Sequence, residues 1–264
     1  MTSMQGFPTS VTVTPIPAFT DNYIWCLHNG NQAVVVDPGD AAPVLAFCEK
    51  NSLTLSAILI THHHRDHTGG ITALAEAIDD LPVIGPRGGH ISGITKSVAQ
   101  GDMVKLPAVG CEFSVIEVPG HTLDHIAFYG HNALFCGDTL FAAGCGRLFE
   151  GTPGQMHRSL NKIKRLPPDT AIYCTHEYTQ ANVKFALTVD PENDQLMAYS
   201  EWVNTTRTND LPTLPSDLAT QRKVNPFLRC DDPAVVKNVS QYANAELSDE
   251  IAVFTQLRKW KDNA

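Results

Sequence analysis

Four of the chain's eleven histidines fall within six consecutive positions, in the run Thr61-His62-His63-His64-Arg65-Asp66-His67. The apolar residues Ala57-Ile58-Leu59-Ile60 stand immediately before it and read as a buried strand, so the cluster is expected at a strand's end, where side chains are held rigidly. In an extended segment His62 and His64 project to one side, whereas Asp66 and His67, past a turn, can address a second point. Imidazole nitrogen and carboxylate oxygen are the donors that zinc, iron and manganese accept in catalytic centres, and no cysteine pair lies near enough to close a structural zinc site. The run therefore reads as a metal loop, suited better to two neighbouring cations than to one. Its internal position, the interposed Asp66 and the preceding strand set it apart from a solvated polar loop or an adventitious histidine tract. His63 and Arg65 alternate with the ligands and should point away from the metals. Gly69-Gly70 lets the backbone pass close by as a helix begins.

Four residues cannot fill two coordination spheres. Three further candidates repeat the same context, a predicted strand followed at once by a donor: His121 after Phe113–Val118 and a Pro-Gly turn, Asp138 after Ala133–Cys136, and His176 after Ala171–Thr175. Each alone has a bland alternative as a surface or satisfied core residue; the shared context is what makes the set. His28, His90, His131 and His157 lack it and are read as surface residues. His125, four places after His121, could orient a ligand without binding metal.

The elements that must position these donors alternate through the first two thirds of the chain. Strands are expected near 11–16, 23–27, 33–37, 57–61, 113–118, 126–129, 133–136 and 171–175, with helices near 41–51, 68–80 and 155–165. After about residue 177 the pattern turns helical, at 181–189, 192–208, 233–244 and 248–261, with the last helix starting at Ser248 and a loop at 211–216. An α/β domain over 1–177 followed by a smaller helical domain over 178–264 is the expected organisation.

The 264 residues, 43% of them hydrophobic, can bury a substantial core. A formal charge of −9 disfavours nucleic acid and anionic membranes as partners, so an anionic ligand must be met by local basic residues. No basic segment leads an apolar stretch between Met1 and Phe19, and nowhere do eighteen apolar residues run together, which points to a cytoplasmic protein. Seven scattered cysteines without a C-x-x-C pair read as reduced, mostly buried thiols. Sequons at Asn204 and Asn238 would matter only in a secreted protein.

Thr61-His-x-His-x-Asp-His67, Pro119-Gly-His-Thr122, Gly137-Asp138 and Thr175-His176 resemble, in order, the motif set of the metallo-β-lactamase superfamily. Within it the chain resembles the glyoxalase II family, the hydroxyacylglutathione hydrolases, through Asp21-Asn-Tyr-Ile24, Val36-Asp-Pro-Gly-Asp40, Cys136-Gly-Asp-Thr-Leu-Phe141, Gly144-Cys-Gly-Arg147, Glu150-Gly-Thr152, His176-Glu-Tyr-Thr179 and Asn225-Pro-Phe-Leu-Arg229. The metal motifs are shared across the superfamily. The Gly144–Thr152 segment, His176–Thr179 and the helical tail carry the substrate assignment.

The resemblance implies an αβ/βα sandwich of two mixed sheets with a smaller C-terminal helical domain. It implies two divalent metals, zinc first and iron or manganese as alternatives, the first held by His62, His64 and His121, the second by Asp66, His67 and His176, with Asp138 bridging. It implies substrate contacts at Arg147, Phe149, Tyr178 and Arg229, and hydrolysis of the thioester of S-D-lactoylglutathione to D-lactate and glutathione by a monomer, as in methylglyoxal detoxification. Asp66 and Asp138 are the implied catalytic carboxylates. Cys230-Asp231-Asp232 stands where some relatives add a basic residue, and Asp124 stands where Gly often precedes the second His of the Gly-His-Thr-x-x-His segment. Rival readings on the same fold are a mononuclear iron persulfide dioxygenase, a non-catalytic binding module and a nuclease. The complete ligand set and the helical tail weigh against the first two, the acidic charge against the third.

Overall fold

The computed structural model describes residues 6–88 and 90–264. Residues 1–5, on which part of the amino-terminal leader expectation falls, lie outside the described residues. The chain divides into two compact units, Met1–Glu117 with Asp124–Gly137, and Val118–Leu123 with Asp138–Ala264.

The first unit opens with strands β1 (Thr12–Ala18), β2 (Asn22–His28) and β3 (Gln32–Val36), helix α1 (Ala41–Lys50), strand β4 (Thr54–Leu59), helices α2 (Arg65–Thr68) and α3 (Ile71–Ala77), and strands β5 (Val83–Pro86) and β6 (Lys96–Val98). The six strands form one mixed sheet in sequence order. β1, β2 and β3 are antiparallel, while β3, β4, β5 and β6 run parallel. Parallel neighbours need a crossover, and α1 supplies it between β3 and β4. Register puts Cys26 opposite Val35 and Val35 opposite Ile58, so the strands bury Val, Ile and Leu with Val44 and Leu74 from the helices. Asp40 caps α1, its carboxylate accepting from the Ala42 amide. Such a cap is worth about 1 kcal/mol. β7 (Met103–Leu106), β8 (Cys111–Glu117), β9 (Ile126–Gly130) and β10 (Ala133–Gly137) complete this unit as an antiparallel meander.

The second unit carries the short hairpin β11 (Leu140–Phe141) and β12 (Gly144–Cys145), then α4 (Pro153–Lys164), β13 (Ala171–Cys174), α5 (Thr179–Val189), α6 (Asp194–Thr208), β14 (Ser216–Asp217), α7 (Leu218–Val224), α8 (Pro233–Ala243) and α9 (Glu250–Asp262). α4 begins with a reciprocal Thr152/Gln155 capping box and Pro153 in its first turn, which satisfies amides that would otherwise lack acceptors. Val183, Ala186, Leu196, Val203 and Val224 from α5, α6 and α7 pack around Ala143 of the hairpin.

Several expectations are corrected. The helix expected over 68–80 is α3 alone, Ile71–Ala77, which begins after Gly69-Gly70 and ends three residues early, while the short α2 lies before those glycines. The last helix takes Asp249 rather than Ser248 as its cap, the carboxylate accepting from Ala252 N at 2.9 Å. Part of the expected 211–216 loop is β14, and α7, β5, β6 and β7 had no counterpart in the sequence reading because they are short or carry no clean period. All seven cysteines are buried, and none forms a disulfide. Burial pushes the Cys26 thiol up to about 12 and those of Cys111 and Cys145 to about 11. No helix among the described residues is long and apolar enough to cross a membrane.

Candidate metal centre

The first unit holds one set of donors. His62 and His67 are fully buried, and His64 precedes the first turn of α2. A chain of hydrogen bonds fixes their tautomers. The Thr61 hydroxyl donates to Asp37 Oδ2 at 2.7 Å, and the Thr61 amide donates to Asp37 Oδ1 at 2.8 Å. With its proton committed, Thr61 Oγ1 accepts from His62 Nδ1 at 3.0 Å. The neutral imidazole then carries its lone pair on Nε2, which lies 3.2 Å from His64 Nδ1. The same Asp37 Oδ2 accepts from His67 Nδ1 at 3.0 Å, and His67 Nε2 lies 3.5 Å from Asp66 Oδ2. Nitrogen lone pair and carboxylate oxygen repel unless a cation or proton stands with them. Asn22, 5% exposed, donates to Asp66 Oδ2 at 3.2 Å and holds that carboxylate in place.

Asp37 was not among the expected site residues. It follows β3 directly, the context that singled out the others, and one ligand atom each from Asp37, His62 and His67 lie within 4.8 Å of one another. The ring of His125 is stacked on that of His62, centroids 4.4 Å apart, and its Nδ1 donates to the Ile126 carbonyl at 3.0 Å, in keeping with an orienting role. His63 turns aside and pairs with Asp124 at 3.0 Å, which gives Asp124 a physical account: it anchors the middle of the histidine run.

The second unit holds the other set. His121 Nδ1 donates to the Arg147 carbonyl at 2.7 Å, which turns Nε2 toward Asp138 Oδ2, 3.5 Å away. His176 Nε2 approaches the same oxygen at 3.3 Å. All three side chains are buried. Two imidazoles converging on one buried carboxylate oxygen are donors of the kind a divalent cation accepts. A side chain at Gly146 would place its Cβ 1.9 Å from the Asp138 carbonyl oxygen, so only glycine lets the loop pass.

The helical segment shapes this set from within its own unit. Asn225 Nδ2 donates to the carbonyls of Phe141 and Gly144 at 3.1 and 2.9 Å, Gln221 accepts from Ala143 N at 2.7 Å, and Asn182 donates to Ala142 O at 3.1 Å. Three side chains thus fix the hairpin that follows Asp138 and leads to Arg147. Tyr178 stacks on the His176 ring at 4.6 Å, and Phe149 meets the His121 ring edge-on at 5.2 Å. Phe149 is 62% exposed, and the Arg147 guanidinium stands 5.9 Å from its centroid. Arg229 is placed differently. One of its nitrogens pairs with Asp190, and Nη2 donates to Asp232 Oδ2 at 2.7 Å, tying the end of α5 to the start of α8. The sequence reading of His157 as a surface residue is corrected: it is 7% exposed, its Nε2 lies 3.2 Å from Glu250, and burial pushes its pKa below the ordinary value despite that carboxylate.

Comparison with known proteins agrees in both halves. The family model described as the metallo-β-lactamase superfamily matches residues 19–95 and 104–176, and that described as the hydroxyacylglutathione hydrolase C-terminus matches 177–264. The chain is 53% identical over 254 residues to a hydroxyacylglutathione hydrolase of Photobacterium profundum, covering 96% of this chain and 99% of that one. It is 50% identical over 253 residues to one of Nitrosomonas eutropha, with the same coverage. Among solved structures it resembles the BLEG-1 B3 metallo-β-lactamase (22% identity, TM-score 0.62, 83% of this chain and 100% of that one), a likeness of fold alone. It also resembles TTHA1623 in a di-iron-bound form (26% identity, TM-score 0.59, 82% and 100%).

Proposed function

Since the chain belongs to the hydroxyacylglutathione hydrolases, metal-dependent enzymes of the metallo-β-lactamase superfamily with two mixed sheets and a C-terminal helical domain, we propose that it hydrolyses S-D-lactoylglutathione at a dinuclear centre. His62, His64 and His121 would hold the first metal, Asp66, His67 and His176 the second, and Asp138 both. Zinc is the metal proposed, with iron and manganese accepted by the same donors. The di-iron form of TTHA1623 supports a two-metal arrangement. The observation that carries the reading is the approach of imidazole nitrogens to carboxylate oxygens, His67 to Asp66 and His121 to Asp138, each at 3.5 Å, which a cation held between them would make favourable.

Bound there, the metals supply Lewis-acid chemistry, bringing the pKa of water to about 7 and polarising a carbonyl. Asp66, steadied by Asn22, accepts a proton's hydrogen bond from the attacking water and aims it at the thioester carbon. Tyr178 and Phe149, each packed on a ligand ring, flank the substrate, and the exposed Arg147 meets a glutathione carboxylate. Arg229 enters already oriented by its two carboxylates. The leaving thiolate, with a conjugate acid of pKa about 8.5, departs without a dedicated general acid. Residues 1–177 would form the catalytic part, carrying the metal ligands with Arg147 and Phe149, and residues 178–264 the helical substrate-binding part with Tyr178 and Arg229; one chain supplies every group, so a monomer suffices, and a cytoplasmic location belongs to the same proposal.

The test is the fall in thioester absorbance with lactoylglutathione on protein of measured metal content, with and without chelator. Loss of thioester that a chelator abolishes and added zinc restores is expected. Oxygen consumption with glutathione persulfide, on one iron per chain and without thioester loss, would overturn the assignment.

A further inference from the structure

Phe19 stands directly after β1 with its backbone in the left-handed region, φ 52°, and its ring 61% exposed. Both features are costly for a phenylalanine: the left-handed conformation crowds its Cβ, and an exposed aromatic ring forfeits its burial. Costs of this kind concentrate where a side chain is held out for use. The ring is also not aimed at random. A Cβ built on Gly39 would come within 2.8 Å of Phe19 Cε2 and within 1.8 Å of the Asp66 carbonyl oxygen. The ring therefore lies beside the metal loop, and only the missing side chain of Gly39 leaves room for both. Three residues on, Asn22 reaches the same Asp66 through its amide at 3.2 Å. The β1–β2 turn thus grips Asp66 with a polar hand and presents an apolar face beside it.

A 2-hydroxyacylglutathione has one small apolar part, the substituent on the acyl α-carbon; the tripeptide is polar and carries two carboxylates, which a lone phenyl ring serves poorly. We propose that Phe19 is the wall against which the acyl substituent packs, and so determines acyl preference, an assignment that rests on the proposed thioester hydrolysis. A methyl group seated on an aromatic face discriminates by about tenfold or more.

The measurement is kcat/KM for lactoylglutathione and for glycoloylglutathione, which lacks the methyl group, on metal-loaded wild type, Phe19→Ala and Phe19→Leu. The ratio lactoyl to glycoloyl should fall about tenfold in Phe19→Ala and by a smaller factor in Phe19→Leu. Because the readout is a ratio on one preparation, partial loss of fold or metal does not affect it. An unchanged ratio in Phe19→Ala, both rates falling together, would overturn the proposal while leaving the hydrolase reading intact. A wild type that cleaves neither thioester would overturn both.

Discussion

Asp37 Oδ2 and His67 Nδ1 lie 3.0 Å apart where solvent hardly reaches, the two side chains being 2% and 0% exposed. One carboxylate there sets the tautomers of His67 directly and of His62 through Thr61. Asp37→Ala should weaken metal binding about 10- to 100-fold. It should also cost at least about 2 kcal/mol of stability, because the buried Thr61 amide loses its acceptor. Metal titration and urea denaturation of the purified variant read the two effects separately; wild-type metal affinity would mean Asp37 orients nothing.

His64→Ala and Asp138→Ala should each reduce bound metal and abolish measurable turnover. The two substitutions probe different units, so a variant that keeps both metal stoichiometry and rate removes that residue from the proposed ligand set.

Arg229→Ala should raise KM and, in addition, destabilise the fold by about 3 kcal/mol, because Asp190, its side chain 5% exposed, would be left as a buried, uncompensated charge. Adding Asp190→Asn should recover much of the stability and none of the KM. Recovery of both by the double substitution would make Arg229 a fold element alone.

The buried His157 should make stability fall below neutral pH. Its folded pKa is lowered by burial below the ordinary 6.5, so the unfolded chain binds the proton more readily. The stability this contributes is fully present above pH 6.5 and is lost as pH falls through the lower folded value. Melting temperatures at pH 7.5 and 5.5 should therefore differ less in His157→Gln than in wild type, and an equal drop in both would show that the titration lies elsewhere.

The proposed donors stand out in the sequence because each follows a strand whose apolar run is itself legible: Ala57–Ile60 before the histidine cluster, Ala133–Cys136 before Asp138, Ala171–Cys174 before the Thr-His pair. Asp37 follows Val34-Val35-Val36 in the same way, but without a histidine beside it the carboxylate reads as turn chemistry ahead of Pro38-Gly39. His157 shows the opposite failure. It lies on the apolar stripe of α4 with Met156, Leu160 and Ile163, and only the pairing with Glu250 of α9, 93 positions away, lets an imidazole be buried there. Asp124 was opaque for the same reason, since its partner His63 is 61 residues earlier. The short strands β11 and β12 owe their form to side chains such as Asn225 and Gln221 from the helical segment, and no local period announces that.

The buried cysteines have a bearing on living with the substrate. A thioester is an acyl donor, and any thiolate it meets can accept the acyl group, ending in a modified protein. At a thiol pKa of about 11, only about one molecule in ten thousand is ionised at pH 7, and Cys111 and Cys145 sit at that value, with Cys26 higher still. Cys26, Cys111 and Cys145 can therefore stand in the presence of an acylating agent, and of the glutathione its hydrolysis releases, with little thiolate to accept either.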